Sequence, residues 1–136
     1  MEPTIEPTTN SERPKVVSTA VLLLAASLLI GGIRAVFDLT HKVSGASFFV
    51  ALLILIVFLG VFFFLVSKIA AGRNWSRITL LVLLVLQLPF AIMGNLAEVR
   101  ANLLQGSLSI SIAILQLLGV VLLFTKNSNL WFKKLK

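Results

Sequence analysis

The sequence predicts an all-α membrane fold, a four-transmembrane-helix up-down bundle with its N and C termini cytoplasmic, on three observations. Four apolar stretches, Val16–Ile33, Phe48–Val66, Ile78–Leu96 and Leu108–Phe124, fill most of the 136 residues. Each comes close to the roughly 20 apolar residues that a spanning helix needs, and lipid accepts only backbone whose polar groups are paired within the segment. Composition agrees: 58% of residues are hydrophobic and 12% are charged, against about a quarter charged in a soluble domain. Of the 12 Lys and Arg, all but Arg34, Lys42 and Arg100 lie in the two tails and in the connection between the second and third stretches. The positive-inside rule then puts both tails in the cytoplasm, as an even number of spans also requires.

Residues 1–15 read as a disordered cytoplasmic tail, rich in Pro, Thr, Glu and Ser and lacking any apolar period. The four-span bundle occupies 16–126, with spans at about 16–38, 46–68, 75–98 and 107–125. Span 1 is expected to be a retained signal anchor. Its apolar run exceeds the ~7 to 15 residues of a signal core, and Ser44-Gly45-Ala46, loosely like a cleavage site, lies beyond Arg34, Asp38 and Lys42. Span 2, with Phe48, Phe49, Phe58, Phe62, Phe63 and Phe64, suits lipid or a larger partner. Gly72 and Asn74 are the residues expected to end span 2 and cap span 3. Pro89 removes a backbone bond inside span 3, which predicts a kink there. After span 4, Asn127-Ser128-Asn129 should break the helix, leaving 127–136 as a basic amphipathic interfacial tail. Trp75, Trp131, Phe132, Lys133 and Lys134 form the expected interfacial anchor, on anionic lipid at the cytoplasmic face.

Short connections join antiparallel neighbours, so spans 1 and 3 run parallel. On span 1, Ser27, Gly31, Arg34 and Asp38 step by four, three and four and share one face. Gln87, Ala91, Gly94 and Glu98 repeat that step on span 3, with Asn95 alongside, and span 4 carries Ser109, Ala113 and Gln116 with Gly119 close by. Small residues let helices approach and polar groups turn toward one another in hydrocarbon, so the three stripes should face the bundle interior. Gln87 and Gln116 fall near the midplane and stand within reach of a mutual hydrogen bond, either as glue or as part of a polar track for a small solute.

Arg34, Asp38 and Glu98 lie near the outer ends of spans 1 and 3, where Arg34 can bridge to Asp38 or to Glu98. Such a cluster serves as an ion-pair clasp, or as a site of binding or proton coupling. Arg34, Asp38, Glu98, Gln87 and Gln116 are thus the candidate intramembrane polar cluster.

Several chemistries find no support. The chain has no Cys and a single His, His41, so no metal site and no cofactor is expected. No basic face with interleaved aromatics exists for nucleic acid, despite the net charge of +7. Asp38 and Glu98 are the only carboxylate pair for acid and base work, and Ser107, Ser109 and Ser111 have no base nearby in sequence, so no catalytic residue and no enzyme activity is expected.

Ala71-Gly72-Arg73-Asn74-Trp75-Ser76-Arg77 before span 3 and Ser128-Asn129-Leu130-Trp131-Phe132 after span 4 resemble a largely uncharacterised group of small bacterial four-span inner-membrane proteins. The resemblance runs from about Val16 to Phe132 and implies a multi-pass protein of the bacterial inner (cytoplasmic) membrane, without implying a reaction. Small multidrug exporters match poorly, since Ser27 and Gly31 stand where they need an acidic residue. The expected function is that of an accessory or scaffolding subunit making helix–helix contacts with a larger membrane complex. The alternative is a small transporter or pore, formed as a homo-oligomer around the polar stripe.

Overall fold

The computed structural model describes residues 13–134, and among them it contains five α-helices and no strand. They are α1 (Lys15–Lys42), α2 (Ala46–Ala70), α3 (Asn74–Ala101), α4 (Leu103–Leu123) and α5 (Lys126–Lys134). Each of α1 to α4 is long and apolar enough to cross a membrane. Even α4, at 21 residues, extends about 32 Å at 1.5 Å per residue, matching a hydrocarbon core of about 30 Å. The chain is a multi-pass membrane protein built as a helical bundle. The expected disorder of the first tail falls mainly on residues 1–12, outside the described residues, as do Leu135 and Lys136; Lys15 already belongs to α1.

Local chemistry sets the helix boundaries. The carbonyl of Pro14 accepts from the amides of Val17 (2.9 Å) and Ser18 (3.1 Å), which starts α1 without a side-chain cap. After α2, Gly72 takes φ +80° while its amide donates to Ile69 O at 2.9 Å and that of Arg73 to Lys68 O at 3.0 Å. This is the Schellman closure, which requires a residue at ease in the left-handed region, and Gly72 is that residue. Asn74 departs from its expected role. It is the first residue of α3 rather than its cap, and its buried Oδ1 has no partner. No side chain caps α3, whereas α4 is capped by Asn102 at the α3–α4 apex, whose side chain accepts from the amides of Leu104 (3.0 Å) and Gln105 (3.4 Å). One residue therefore separates α3 from α4, so α4 starts at Leu103 and not near 107. Helix α3 continues through Pro89.

The expected break at Asn127-Ser128-Asn129 is also displaced. These residues form the first turn of α5, and the interruption falls at Phe124-Thr125. Polar side chains at that position satisfy the carbonyls left open at the end of α4 instead of stopping a helix. Ser128 Oγ donates to Leu122 O at 2.7 Å, and Asn129 Nδ2 to Phe124 O at 3.0 Å.

Neighbours in space are α1 with α2, α2 with α3, α3 with α4, and α4 with α1, leaving α1 and α3 on a diagonal. The packed core lies toward the end of the bundle that carries both chain termini. It comprises Val17, Ala20 and Leu24 of α1, Phe62, Leu65, Val66 and Ile69 of α2, Leu80 of α3, Val120 and Leu123 of α4, and Phe132 of α5. Two positions correct the sequence reading. Phe62 belongs to this core and not to a lipid-facing wall, and Phe132, 1% exposed, tucks under the bundle rather than lying on lipid. Phe49, Phe58, Phe63 and Phe64 do face outward. At Gly119 a Cβ would stand 2.8 Å from Leu24 Cγ and 3.3 Å from Ala20 O, so only Gly permits the close α1–α4 approach. A second tight point joins α3 to α4 at the far end, where a Cβ on Gly106 would meet Val99 Cα at 2.6 Å. Between these two points the far half of the bundle is loosely filled, and Phe90 and Met93 of α3 are 78% and 73% exposed.

Candidate functional site

The loosely filled half holds a polar cleft of about 320 Å³ between α1, α3 and α4. Its walls are Gly31, Arg34, Ala35 and Asp38 from α1, Gln87, Ala91, Gly94, Asn95 and Glu98 from α3, and Ser109, Ile112, Ala113 and Gln116 from α4. The three stripes read from the sequence thus converge, because helical steps of three and four keep each set on one face. Gly31, Gly94, Ala91 and Ala113 contribute the space by lacking bulk. A smaller cavity of about 150 Å³ shares Gly31, Ala35 and Gln116 and continues to Ser27, Phe58 and Phe62, where the packed core begins.

At the far end of the cleft, Arg34 joins the three helices. Its Nη2 donates to Glu98 Oε2 at 2.6 Å, its Nη1 donates to Ser109 Oγ, and its Nε lies 3.7 Å from Asp38 Oδ2. Ser109 in turn donates to Glu98 Oε2, and Lys42 Nζ lies 3.1 Å from Asp38 Oδ1. Arg34 therefore pairs with both acids, and the two alternatives open in the sequence occur together. The planar guanidinium makes this feasible, since its N–H groups fan out in fixed directions. Arg34 is 16% exposed, Asp38 25% and Glu98 29%, so the pairs are largely withdrawn from solvent yet reachable from the cleft.

Gln87 and Gln116 line the deeper part, but among the described residues no hydrogen bond joins them; each faces the cleft instead. Asn95 does likewise. His41 stands apart, stacked on Phe37 at 4.1 Å with its Nδ1 2.8 Å from Phe37 O. Among the described residues no three of His, Asp and Glu gather as metal ligands. Both carboxylates that might have served as acid and base are occupied by Arg34, with Lys42 adding to Asp38.

The anchor residues divide. Trp75 is 48% exposed beside Phe64, and Lys133 and Lys134 face outward, as an interfacial role requires. Trp131 is half-buried against Phe132, and its Nε1 has no partner.

Two sets of contacts carry no clear signal in the sequence. Ser109 is visible as a stripe residue, but its bond to Glu98 depends on the one-residue hairpin at Asn102. Arg77, expected at headgroup level, is only 9% exposed. It donates to Leu123 O at 3.2 Å and to Asn129 Oδ1 at 2.6 Å, and lies 4.6 Å from the Phe132 ring centroid. A cation beside the carbonyl end of α4 complements its dipole and ties α3, α4 and α5 together. Its acceptor on α4 is a main-chain carbonyl, which no side-chain pattern announces.

No protein-family model matches this chain, and neither a curated protein nor a solved structure is similar to it.

Proposed function

We propose that this is a multi-pass protein of the bacterial inner membrane, with both termini cytoplasmic, that acts as a small transporter by admitting a polar solute into the α1–α3–α4 cleft from the outer side. The observation that carries the reading is the convergence of three polar stripes on one cleft that stops at a packed core. Polar side chains on spanning helices are costly unless they meet water, protein or ligand, and a cavity bounded by three helices leaves room for a ligand beside them. A blind cleft also fits alternating access better than a static pore, because passage requires the core end to open. The basic residues at the terminal end support the orientation, and Lys133 and Lys134, outward on α5, suit anionic lipid at that face.

A second reading is an accessory subunit of a larger membrane complex. It is favoured by the far half of α3, which the rest of the chain leaves uncovered, and by the outward Phe49, Phe58, Phe63 and Phe64 of α2. Purification of the tagged chain in mild detergent at native expression, with the mass of the intact complex, separates the two. A monomer or homo-oligomer is the expected result. A stoichiometric larger membrane partner would overturn the transporter reading in favour of the accessory one.

A further inference from the structure

We propose, on the reading that the cleft is a solute site, that its ligand carries no net charge and is held by carboxamides: Gln87 and Asn95 of α3 and Gln116 of α4. The charged groups at the mouth already compensate one another. Arg34 sits between Glu98 at 2.6 Å and Asp38 at 3.7 Å, and Asp38 is also 3.1 Å from Lys42, giving two cations and two carboxylates in one run. One N–H of Arg34 goes to Glu98 and another to Ser109, and its Nε lies toward Asp38, so an entering anion would compete with carboxylates already paired to the guanidinium. An ion entering would either break one of these pairs or stand without a compensating charge, and both are unfavourable.

The amides are in the opposite condition. Among the described residues none of Gln87, Asn95 and Gln116 makes a side-chain hydrogen bond, although all three face the cleft. Each carboxamide offers two N–H donors and an acceptor oxygen, a set that matches hydroxyls, amides and nucleobase edges without needing charge. Half-buried amides in a water-reachable cleft give up bonds to water when a solute enters, so the occupant must hydrogen-bond in their place. The cleft volume of about 320 Å³ is at the small end of ligand pockets, which limits the solute to a polyol, a small carboxamide or a nucleoside.

The test uses the full chain in lipid nanodiscs with Ala113→Cys, the only thiol present, labelled by a polar maleimide. The probes are glucose, nicotinamide and uridine, each beside an anionic and a cationic derivative of the same skeleton, at about 10 mM, a range that detects millimolar affinity. At least one neutral probe is expected to slow labelling on the order of tenfold more than its charged derivatives, and Gln87→Leu or Gln116→Leu is expected to abolish that protection. These substitutions replace an amide by an apolar group of similar size, and retained helicity by circular dichroism confirms folding. Protection by a charged derivative equal to or better than its neutral parent overturns the proposal and leaves the solute site standing. Labelling that no probe slows overturns it too, since the cleft then holds water only. No labelling even without a probe would instead refute the polar, solvent-reachable cleft on which the solute reading rests.

Discussion

Replacing Glu98 by Gln keeps the shape of the side chain that links α3 to α1 and α4 but removes its charge. Glu98 Oε2 receives Arg34 at 2.6 Å together with Ser109, and the two charged side chains are 29% and 16% exposed. Unit charges 4 Å apart attract by about 4 kcal/mol at an effective dielectric of 20. Exposed pairs retain less than about 1 kcal/mol, whereas removing one partner of a fully buried pair costs about 3–5 kcal/mol. The pair lies between these limits, and Asp38, 3.7 Å from Arg34, still compensates part of the cation. The expected loss is therefore about 2 kcal/mol, or roughly 30-fold in the unfolding equilibrium. Reversible unfolding in mixed detergent micelles, followed by the fluorescence of Trp75 and Trp131, measures it. A double-mutant cycle with Arg34→Gln should return a coupling of about 2 kcal/mol, while one below about 0.5 kcal/mol would refute the bridge. Lys42→Ala, at a residue 58% exposed, should cost less than about 0.5 kcal/mol.

Gly106→Ala would bring a Cβ to 2.6 Å from Val99 Cα and 2.7 Å from Val99 N, backbone atoms that cannot rotate away. A loss of about 2–3 kcal/mol is expected from the same unfolding assay, against none beyond about 0.5 kcal/mol for Gly94→Ala, whose Cβ meets nothing within 4 Å. Arg77→Met keeps the stem but loses the bonds to Leu123 O and Asn129, so α5 should detach at a cost of about 1–3 kcal/mol. Faster proteolysis after Lys133 and a red-shifted Trp131 emission would report it, and unchanged cleavage would count against the Arg77 tie. A reporter that works only in the cytoplasm, fused after Lys136, should be active, and activity of a periplasmic reporter there would reverse the orientation.

Much of this arrangement is legible in the chain because helical periodicity is rigid. The steps Ser27, Gly31, Arg34, Asp38 and Gln87, Ala91, Gly94, Glu98 fix which side chains share a face, and in hydrocarbon polar faces turn inward. Most of the cleft lining followed from that, but Ala35 and Ile112 belong to no stripe, while Ser27 lines only the smaller cavity and Gly119 packs against Leu24. What the periodicity does not carry is axial register and helix ends. Asn102 caps α4 immediately after α3, which sets Ser109 against Glu98, and a composition reading that expected a longer connection missed it. Asn127-Ser128-Asn129 has the composition of a breaker, yet its side chains bond the open carbonyls of α4 and begin α5. Phe62 and Phe132 are core residues among outward-facing aromatics, and only the positions of the neighbouring helices decide which Phe is covered.

For a solute to enter, the cleft must face water while the opposite faces of the same helices meet lipid. Single cysteines at Ala91 and Ala113, which line the cleft, and at Val85 and Leu117, which are 58% and 63% exposed on the outer surface, allow a direct comparison in a chain that has no Cys of its own. A membrane-impermeant maleimide applied from the outer side should label Ala91→Cys and Ala113→Cys and leave Val85→Cys and Leu117→Cys unreacted. Labelling of the latter pair alone would contradict the account, because the polar stripes would then face lipid and the bundle would be turned inside out.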